Sequence, residues 1–406
     1  MTARLYYDDP YLSTFEATVT AVDRRGDQLV VTLDRTTFYP TSGGQPFDIG
    51  TLAGFRVVDV VDADDGSVAH VLCADFPAPS PEPLQVGTSV RGEIDWARRF
   101  DHMQQHTGQH VLSAAFERLF RVRTVSFHLG SDVSTVDLAR DMTAAELTAA
   151  EQDANRIVWE DRPVAIRYAS EAEAAALQLR KESKRTGTLR LIDVTDYDLS
   201  ACGGTHVSRT GAIGVIAIAS WERFKGGVRI EFLCGGRALA RFRALRDSVA
   251  ASTRFLSVGM SELPLTIERL QSEARDQKRT LSSLQTELAR FRADELTAEA
   301  ATVQLRDGSS ARLVAHAIDA DANTLKSLAS AVTSRLGFVA VFVSTRTPAL
   351  VVVARSTNVA GANAQQILAT LMTTFGGRGG GKAELAQGGG LIGSADDILA
   401  ASKTVL

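Results

Sequence analysis

Apolar and polar residues alternate with a period of two in several short segments of residues 13–95. This period is typical of strands that bury one face, and short strands separated by turns are typical of a small barrel. We therefore predict an N-terminal β-barrel from the segments FEATVTAV, QLVVTLD and FRVVDVVD. The segment PAPSPEP at 77–83 predicts a rigid surface connection.

The spacing of apolar residues changes to a helical period after residue 95. A helix is predicted from Asp101 to Phe120, with Asp101 as its N-cap, and further helices are predicted at 143–159 and 171–185. The last helix leads into a basic cluster of Lys181, Lys184 and Arg185. Strands are predicted between and after these helices, at TVSFHLG, STVDLA, 163–168, LRLIDV and AIGVIAIASWERF. This mixture predicts an α+β domain.

Residues 267–291 carry apolar side chains in a heptad repeat that is interrupted only by Gln277. Such a repeat predicts a long helix that packs against a partner helix. The partner is either a helix at 237–255 that folds back or a second copy of the chain, so a homodimer is one expectation. Strand and helix patterns then alternate to the end of the sequence, which predicts a C-terminal α/β domain.

Composition narrows the class of protein. The sequence has 406 residues, of which 45% are hydrophobic, and this is enough for several domains. It has no apolar run of the length that crosses a membrane and no signal-peptide pattern. Three cysteines are too few for a secreted disulfide framework, so we expect a cytoplasmic protein. The net charge of −4 argues against a protein that coats nucleic acid without specificity.

Two pairs of residues have the chemistry of a metal site. His106 and His110 are one helical turn apart, so both imidazoles project from one face. Cys202 and His206 flank a glycine-rich turn. A thiolate with imidazoles suits zinc better than magnesium or calcium. The sequence therefore predicts a zinc ion held by three histidines and one cysteine.

Three glycine-rich segments complete the candidate chemistry. In the first, FYPTSGGQP at 38–46, turn residues hold the polar side chain of Gln45 at the tip. In the second, CGGTH at 202–206, the backbone N–H groups of Gly203 and Gly204 are candidate donors of hydrogen bonds to an oxyanion. The third, residues 376–390, carries Arg378 and Lys382 and is predicted to be a loop that binds phosphate or a nucleic-acid backbone, with a flexible linker as the alternative.

Four motifs in this order resemble the alanyl-tRNA editing proteins, in the long form with a C-terminal DHH-associated domain. The motifs are FYPTSGGQ, HMQQHTGQH, CGGTHV and GGRGGGKAELAQGGG, and the resemblance extends over essentially the whole chain. It implies an aminoacyl-ester hydrolase that contains zinc and removes serine or glycine wrongly attached to tRNA(Ala). Because the sequence starts at the barrel of the editing region, we expect no aminoacylation activity.

The resemblance also implies roles for individual residues. It implies that His106, His110, Cys202 and His206 bind zinc. It also implies that Thr36 and Gln45 belong to the substrate pocket. A pocket that accepts serine has room for alanine, so rejection of alanine requires a polar group that only the serine hydroxyl satisfies. We expect Thr36 and Gln45 to supply it.

The predicted fold class is thus a multidomain α+β protein with four segments. These are a β-barrel domain at 1–95, a zinc-containing editing domain at 96–258, a long-helix or coiled-coil linker at 259–300, and a C-terminal DHH-associated α/β domain at 301–406 that binds tRNA or oligomerises.

The predicted function is zinc-dependent deacylation of mischarged tRNA(Ala). The alternatives are a zinc hydrolase of another ester or amide that acts without tRNA, and a tRNA-binding protein whose zinc is structural. A zinc ion with four protein ligands has no position left for water. Either one ligand detaches in the working state, or the zinc positions the ribose or amino group of the substrate.

Overall fold

The computed structural model of the protein describes residues 1–26, 28–73, 84–180 and 187–406. The predicted connection at 77–83 and the basic cluster Lys181, Lys184 and Arg185 lie outside these residues. The described chain folds into two compact units, residues 1–251 and 252–406. The domain boundaries expected after residues 95, 258 and 300 remain predictions.

Short strands form the N-terminal part of the first unit, as the alternating pattern predicts. Their bounds are β1 Ala3–Arg4, β2 Thr14–Arg25, β3 Gln28–Leu33, β4 Arg35–Thr36, β5 Gly50–Leu52, β6 Phe55–Asp62, β7 Val68–Cys73 and β8 Ser89–Ile94. Six of these strands close into a barrel of antiparallel neighbours in the order β2-β3-β7-β6-β5-β8. Apolar residues from alternate positions, such as Phe15, Ala17 and Val19 of β2, fill its interior. The predicted N-terminal barrel is confirmed.

The helix that carries the first histidine pair, α1, spans Trp96–Phe120 and begins earlier than predicted. Its N-cap is Asp95, whose side chain accepts a hydrogen bond of 3.0 Å from the backbone N–H of Arg98. The prediction that Asp101 caps this helix is wrong. Asp101 lies inside the helix, where its carboxylate pairs with the guanidinium of Arg237 at 2.6 Å.

A fully buried ion pair fastens α1 to the barrel. The guanidinium of Arg99 donates to the carboxylate of Asp48, which lies between β4 and β5, and neither side chain is exposed to solvent. Arg99 also donates to the carbonyl oxygens of Pro10 at 2.9 Å and Thr37 at 2.5 Å. Since this charge is both paired and hydrogen-bonded, its burial is tolerated, and the start of α1 is held in one position.

The rest of the first unit is the predicted mixture of helices and antiparallel strands. Its strands are β9 Thr124–Leu129, β10 Ser134–Leu138, β11 Val164–Ala169, β12 Leu189–Val194, β13 Asp198–Ala201, β14 Ile216–Phe224 and β15 Gly227–Cys234. Its helices after α1 are α2 Ala144–Trp159 and α3 Glu171–Ala176, and helix α4 Gly235–Leu256 begins in this unit and ends in the second. The strands form two sheets, β14-β15-β10-β9 and β11-β12-β13. The apolar face of α1, including Val111, Leu112 and Phe116, belongs to one core with α2 and the four-stranded sheet.

Helix α3 is shorter than predicted. Residues 177–180 are not helical, because tertiary contacts of Arg180 compete successfully with helix propensity. The backbone N–H of Arg180 donates to the carbonyl oxygen of Leu199 at 2.9 Å, and its guanidinium pairs with Asp198 at 2.5 Å. Arg180 is thereby drawn towards β13, the strand that leads to Cys202.

The second unit contains the predicted long helix and an α/β domain. The helices are α5 Leu263–Ala298, α6 Ala322–Thr333, α7 Ala364–Phe375 and α8 Ala395–Val405. The strands are β16 Ala301–Gln304, β17 Ser310–Ile318, β18 Phe338–Ser344, β19 Ala349–Arg355, β20 Arg378–Gly381 and β21 Leu385–Leu391. They form one sheet in the order β16-β17-β18-β19-β21-β20. Strands β17 and β18 are parallel and joined through α6, whereas the other neighbours are antiparallel.

The heptad positions on α5 are exposed. Leu281, Leu284, Leu288 and Phe291 are each more than half accessible to solvent. The coiled-coil partner, whether a helix of the same chain or a second copy, therefore remains a prediction. Within the described ranges, α5 included, we find no helix that is both long and apolar enough to cross a membrane.

The C-terminal glycine-rich segment is not the predicted loop. Residues 378–381 and 385–391 pair as antiparallel strands at the edge of the sheet. A Cβ on Gly379 would lie 2.5 Å from the carbonyl oxygen of Gln387, and one on Gly381 would lie 2.4 Å from the Cα of Ala386. The glycines thus allow close contact between two strands, a role that composition alone cannot distinguish from flexibility.

Candidate metal centre

The two histidine and cysteine pairs meet in the first unit. The nitrogen and sulfur donors of His106, His110, Cys202 and His206 all lie within 4.8 Å of one another. The Sγ atom of Cys202 is 3.4 Å from Nε2 of His106 and 3.4 Å from Nε2 of His206. The three histidines are buried and the cysteine is half-buried. The fold therefore assembles one donor set from α1 and from the turn after β13.

Each histidine has a hydrogen-bond partner on its Nδ1 atom. His106 Nδ1 contacts Oε1 of Gln45 at 2.8 Å, His110 Nδ1 contacts Oδ2 of Asp198 at 3.2 Å, and His206 Nδ1 contacts Oγ1 of Thr107 at 3.2 Å. The oxygens of Gln45 and Asp198 only accept hydrogen bonds, so Nδ1 of His106 and of His110 must carry the proton. The Nε2 atoms of these two rings are then available as metal ligands.

Gln45 reaches His106 because a tight turn places it there. Residues 42–45 form a hairpin turn in which Gly43 and Gly44 have φ of 55° and 84°. Positive φ at both central positions is the requirement of a type I′ turn, and glycine meets it without strain. The amide of Gln45 is fully buried, donates to Oγ1 of Thr205 at 2.8 Å, and accepts from the Thr205 N–H at 3.1 Å. Its side chain therefore orients His106 and the Cys202–His206 turn together.

The turn from Cys202 to His206 needs glycine at position 204 for space. A Cβ on Gly204 would lie 2.1 Å from Cε1 of His106, which is not possible without moving the ring. The N–H of Gly204 donates to Sγ of Cys202 at 3.4 Å, so it is directed at the sulfur and not at a substrate. The predicted oxyanion roles of Gly203, which is half-buried, and of Gly204 stay predictions.

Arg190 holds the same turn from the other side, and sequence reasoning missed it. Its guanidinium donates to the carbonyl oxygens of Cys202 at 2.8 Å and Gly204 at 2.9 Å. Arg190 is buried and lies on β12, next to the strand that leads into the turn. No local motif marks this residue, because its role depends on the pairing of β12 with β13.

The electrostatics of the site favour a thiolate at Cys202 and a neutral imidazole at His206. Burial opposes protonation of His110, but its hydrogen bonds to Asp198 and Cys202 outweigh this effect and raise the pKa of this imidazole above its usual value. Burial opposes ionisation of the Cys202 thiol, but the neighbouring His106 and His206 outweigh it and hold the pKa of the thiol well below its usual range. Burial lowers the pKa of His206 to about 3. Burial also opposes ionisation of Asp198, but the adjacent Arg180 outweighs it and keeps the pKa of this carboxyl below its usual range. Zinc binds the thiolate of cysteine and the neutral imidazole of histidine.

The two sulfur–nitrogen separations at Cys202 fit a tetrahedral zinc ion. Zinc–sulfur and zinc–nitrogen bonds of about 2.3 Å and 2.0 Å at a tetrahedral angle separate sulfur from nitrogen by about 3.5 Å. The two separations of 3.4 Å around Cys202 agree with this value. One soft sulfur and three imidazole nitrogens are also ligands that zinc prefers. The four residues therefore fit zinc in their chemistry, and the two distances from Cys202 agree with it.

A cleft of about 320 Å³ opens beside the donor set. His110 and Cys202 form part of its wall, and β9 forms another part. Its charged lining residues are Glu117, Arg123 and Arg180. A substrate in this cleft would lie next to the donor set, in a pocket that carries cations suited to phosphate groups.

The other predicted site residues lie elsewhere. Thr36 is fully buried in the barrel, where its hydroxyl contacts Nε2 of His70 at 2.8 Å and accepts from the N–H of Phe38 at 3.0 Å. Neither Thr36 nor Gln45 lines the cleft beside Cys202. Their predicted substrate contacts therefore remain proposals. Arg378 and Lys382 lie in the second unit, on β20 and in the turn after it, and both are exposed.

Three family models match the chain. The model described as "Threonyl and Alanyl tRNA synthetase second additional domain" matches residues 189–231, which include Cys202 and His206. The model described as "tRNA synthetases class II (A)" matches residues 10–98, the region of the barrel. The model described as "DHHA1 domain" matches residues 310–406. The predicted DHH-associated domain is thereby confirmed, and the expected lack of aminoacylation activity stays a prediction.

Individual relatives agree with these models. The chain is 32% identical over 400 residues to an alanine–tRNA ligase of Pyrococcus abyssi, and the match covers 95% of this chain and 42% of the ligase. It spans less than half the length of the alanine–tRNA ligases of Pyrococcus abyssi and Pyrococcus furiosus. Among solved structures, the C-Ala domain of Aquifex aeolicus alanyl-tRNA synthetase matches 26% of this chain and 97% of that domain at 22% identity, with a TM-score of 0.24 that is too low to support a conclusion about fold.

A shorter relative is covered over most of its length. The chain is 33% identical over 301 residues to the alanyl-tRNA editing protein AlaX-L of Pyrococcus horikoshii, and the match covers 72% of this chain and 71% of the relative. This similarity extends over more than two thirds of both proteins and confirms the resemblance found in the four motifs. The chain therefore belongs to the alanyl-tRNA editing family.

Proposed function

We propose that the chain is a zinc-dependent editing hydrolase that acts in trans on mischarged tRNA(Ala), removing serine or glycine, in the reducing cytoplasm. The observation that carries the proposal is the set of three histidines and one cysteine, of which His110 and Cys202 line a cleft. Family membership supplies the substrate class, since the similar Pyrococcus horikoshii protein is named an alanyl-tRNA editing protein.

The residues of the donor set would hold the zinc ion. When bound, zinc supplies a Lewis acid that polarises a carbonyl or lowers the pKa of a coordinated water. A zinc ion held by all four residues, His106, His110, Cys202 and His206, would have no position left for water. Either one of these ligands would detach in the working state, or the zinc would position the ribose or amino group of the substrate.

The chain's own residues provide binding and orientation for an aminoacyl ester. The cations Arg123 and Arg180 on the cleft wall suit the phosphates near the 3′ end of a tRNA. The N–H of Gly203 is our proposed donor to the oxyanion that forms when water attacks the ester carbonyl. Gln45, Asp198 and Thr107 keep the imidazole rings in one orientation, so the site is preorganised.

The second unit is proposed to capture tRNA. A chain with a net charge of −4 has no overall attraction for RNA, so affinity must come from local cations. Arg378 and Lys382 are exposed at the sheet edge, and Arg378 lines a cleft of about 330 Å³ with glycines of β20 and β21. Dimerisation through the exposed heptad face of α5 is a further proposal.

The proposal is tested by deacylation with zinc measured on the same preparation. We expect about one zinc per chain and turnover of Ser-tRNA(Ala), and we expect Cys202→Ala to lose both together. Turnover of free aminoacyl esters at the same rate as aminoacyl-tRNA would instead favour a hydrolase of small esters. Zinc binding without turnover of any substrate would favour a structural zinc in a tRNA-binding protein.

A further inference from the structure

Gln109 shares the cleft with the donor set. It lies on α1 directly before His110, and it lines the cleft together with His110 and Cys202. The side chain is only 2% exposed. A buried amide in the wall of a substrate cleft must either be satisfied by the protein or be available to a ligand.

Only one half of this amide is satisfied. Its Nε2 donates to Oγ of Ser113 at 2.8 Å, and the same Ser113 oxygen accepts from Oγ1 of Thr124 at 2.8 Å. Its Oε1 is buried and has no hydrogen-bond partner among the residues that the structure describes. Leaving such an acceptor unpaired is unfavourable. A donor that reaches this oxygen would remove that cost, and the soft terminal torsion of glutamine lets the amide adjust to it.

The residues expected to read the serine hydroxyl have other partners. The Thr36 hydroxyl contacts His70 and Phe38, and both polar atoms of the Gln45 amide contact His106 or Thr205. Among the described residues that line the cleft, Gln109 is the one that combines a buried side-chain amide with an acceptor oxygen that has no hydrogen-bond partner.

We propose that Gln109 determines specificity by accepting a hydrogen bond from the hydroxyl of the seryl group. The proposal rests on the proposed function, since it assigns a role within the same cleft. With a seryl substrate, the hydroxyl pairs with Oε1. With an alanyl or glycyl substrate, the acceptor stays buried and unpaired, and this cost is the physical basis of discrimination.

The charges of the cleft favour a hydroxyl over an ammonium as the partner of Gln109. A neutral amide matches a neutral hydroxyl, whereas a buried ammonium requires a negative group. Glu117, on the same wall, carries that negative charge. Glu117 is therefore the better partner for the amino group of the substrate, and Gln109 is left for the side chain.

The test compares substrates that differ only in the side chain. With the full-length, zinc-loaded chain, Gln109→Met should lower kcat/KM for Ser-tRNA(Ala) by about tenfold or more and leave the slower Ala-tRNA(Ala) and Gly-tRNA(Ala) reactions within about twofold. Ser113→Ala, which removes the partner of Nε2 and leaves Oε1 in place, should keep the Ser/Ala ratio. If Gln109→Met does not fold, Gln109→Asn withdraws the amide by one methylene and permits the same comparison.

The outcomes separate this inference from the proposed function. An equal loss for all three substrates, or an unchanged Ser/Ala ratio, overturns the role of Gln109 while deacylation itself stands. Absence of turnover by the zinc-loaded wild-type chain overturns both. Zinc content measured on every variant shows whether the donor set is intact.

Discussion

Replacing Asp198 by asparagine should weaken metal binding without removing a metal ligand. The Asp198 carboxylate is buried and accepts from three donors: His110 Nδ1 at 3.2 Å, the Arg180 guanidinium at 2.5 Å, and the Ser200 hydroxyl at 3.0 Å. Asparagine has nearly the same shape, but one oxygen becomes an NH₂ group that donates. At least one of the three donors then loses its acceptor.

The magnitude follows from which donor is lost. The remaining oxygen stays with Arg180, because hydrogen bonds to a charged donor are the stronger ones. The NH₂ group then faces Nδ1 of His110, and this ring is no longer held with Nε2 towards the donor set. Loss of such an outer partner costs about 10- to 100-fold in metal affinity, which corresponds to about 1.4 to 2.8 kcal/mol.

The assay is competition for zinc between the protein and a chelator of known affinity, at one pH. The matched control is Asp193→Asn on the neighbouring strand β12, where the carboxylate pairs with the half-exposed Arg167 at 2.9 Å. We expect the control to bind zinc like the wild-type chain, because an exposed ion pair contributes little. An Asp198→Asn protein with unchanged zinc affinity would show that His110 is not a ligand or does not need its carboxylate.

Three further perturbations test other parts of the structure. Asp48→Ala should lower the free energy of unfolding in a urea titration by about 3–5 kcal/mol, because Arg99 is left buried and unpaired. The control Asp23→Ala removes an exposed ion pair with Arg25 and should change this free energy by less than about 1 kcal/mol. Burial lowers the pKa of His70 from 6.5 to about 4, so between these pH values the unfolded chain binds a proton that the folded chain excludes. The free energy of unfolding should therefore fall by up to about 3 kcal/mol as the pH drops from 6.5 to 4. A His70→Gln variant whose free energy of unfolding depends on pH in the same way would contradict this. Replacing both Arg378 and Lys382 by alanine should weaken tRNA binding and flatten its salt dependence while zinc content stays the same, and unchanged affinity would remove these cations from the tRNA interface.

Local patterns predicted the barrel and the donor set well. Alternating apolar and polar residues in β2, β3 and β6 indicate strands with one buried face. The spacing of the histidines and of Cys202 in their motifs indicates metal ligands. These features are encoded by residues close together in the sequence. They could be recognised before the fold was known.

Contacts between distant segments could not be predicted in the same way. Arg190 and Asp198 support the donor set from paired strands, and Gln109 looks like any polar residue of a helix until its unpaired oxygen is seen. The early end of α3 has the same cause, since Arg180 is drawn to Asp198 against helix propensity. Composition predicts a loop at the C-terminal glycines, because it does not reveal that two strands approach each other there.

We propose above that the donor set forms a zinc-dependent editing site for tRNA(Ala). The most direct measurement is deacylation of Ser-, Gly- and Ala-tRNA(Ala) side by side by the zinc-loaded chain, with Cys202→Ala alongside and zinc determined on both proteins. We predict release of serine, slower release of glycine and of alanine, and loss of both zinc and turnover in Cys202→Ala. Full turnover by a zinc-free preparation, or equal rates for all three substrates, would contradict the account.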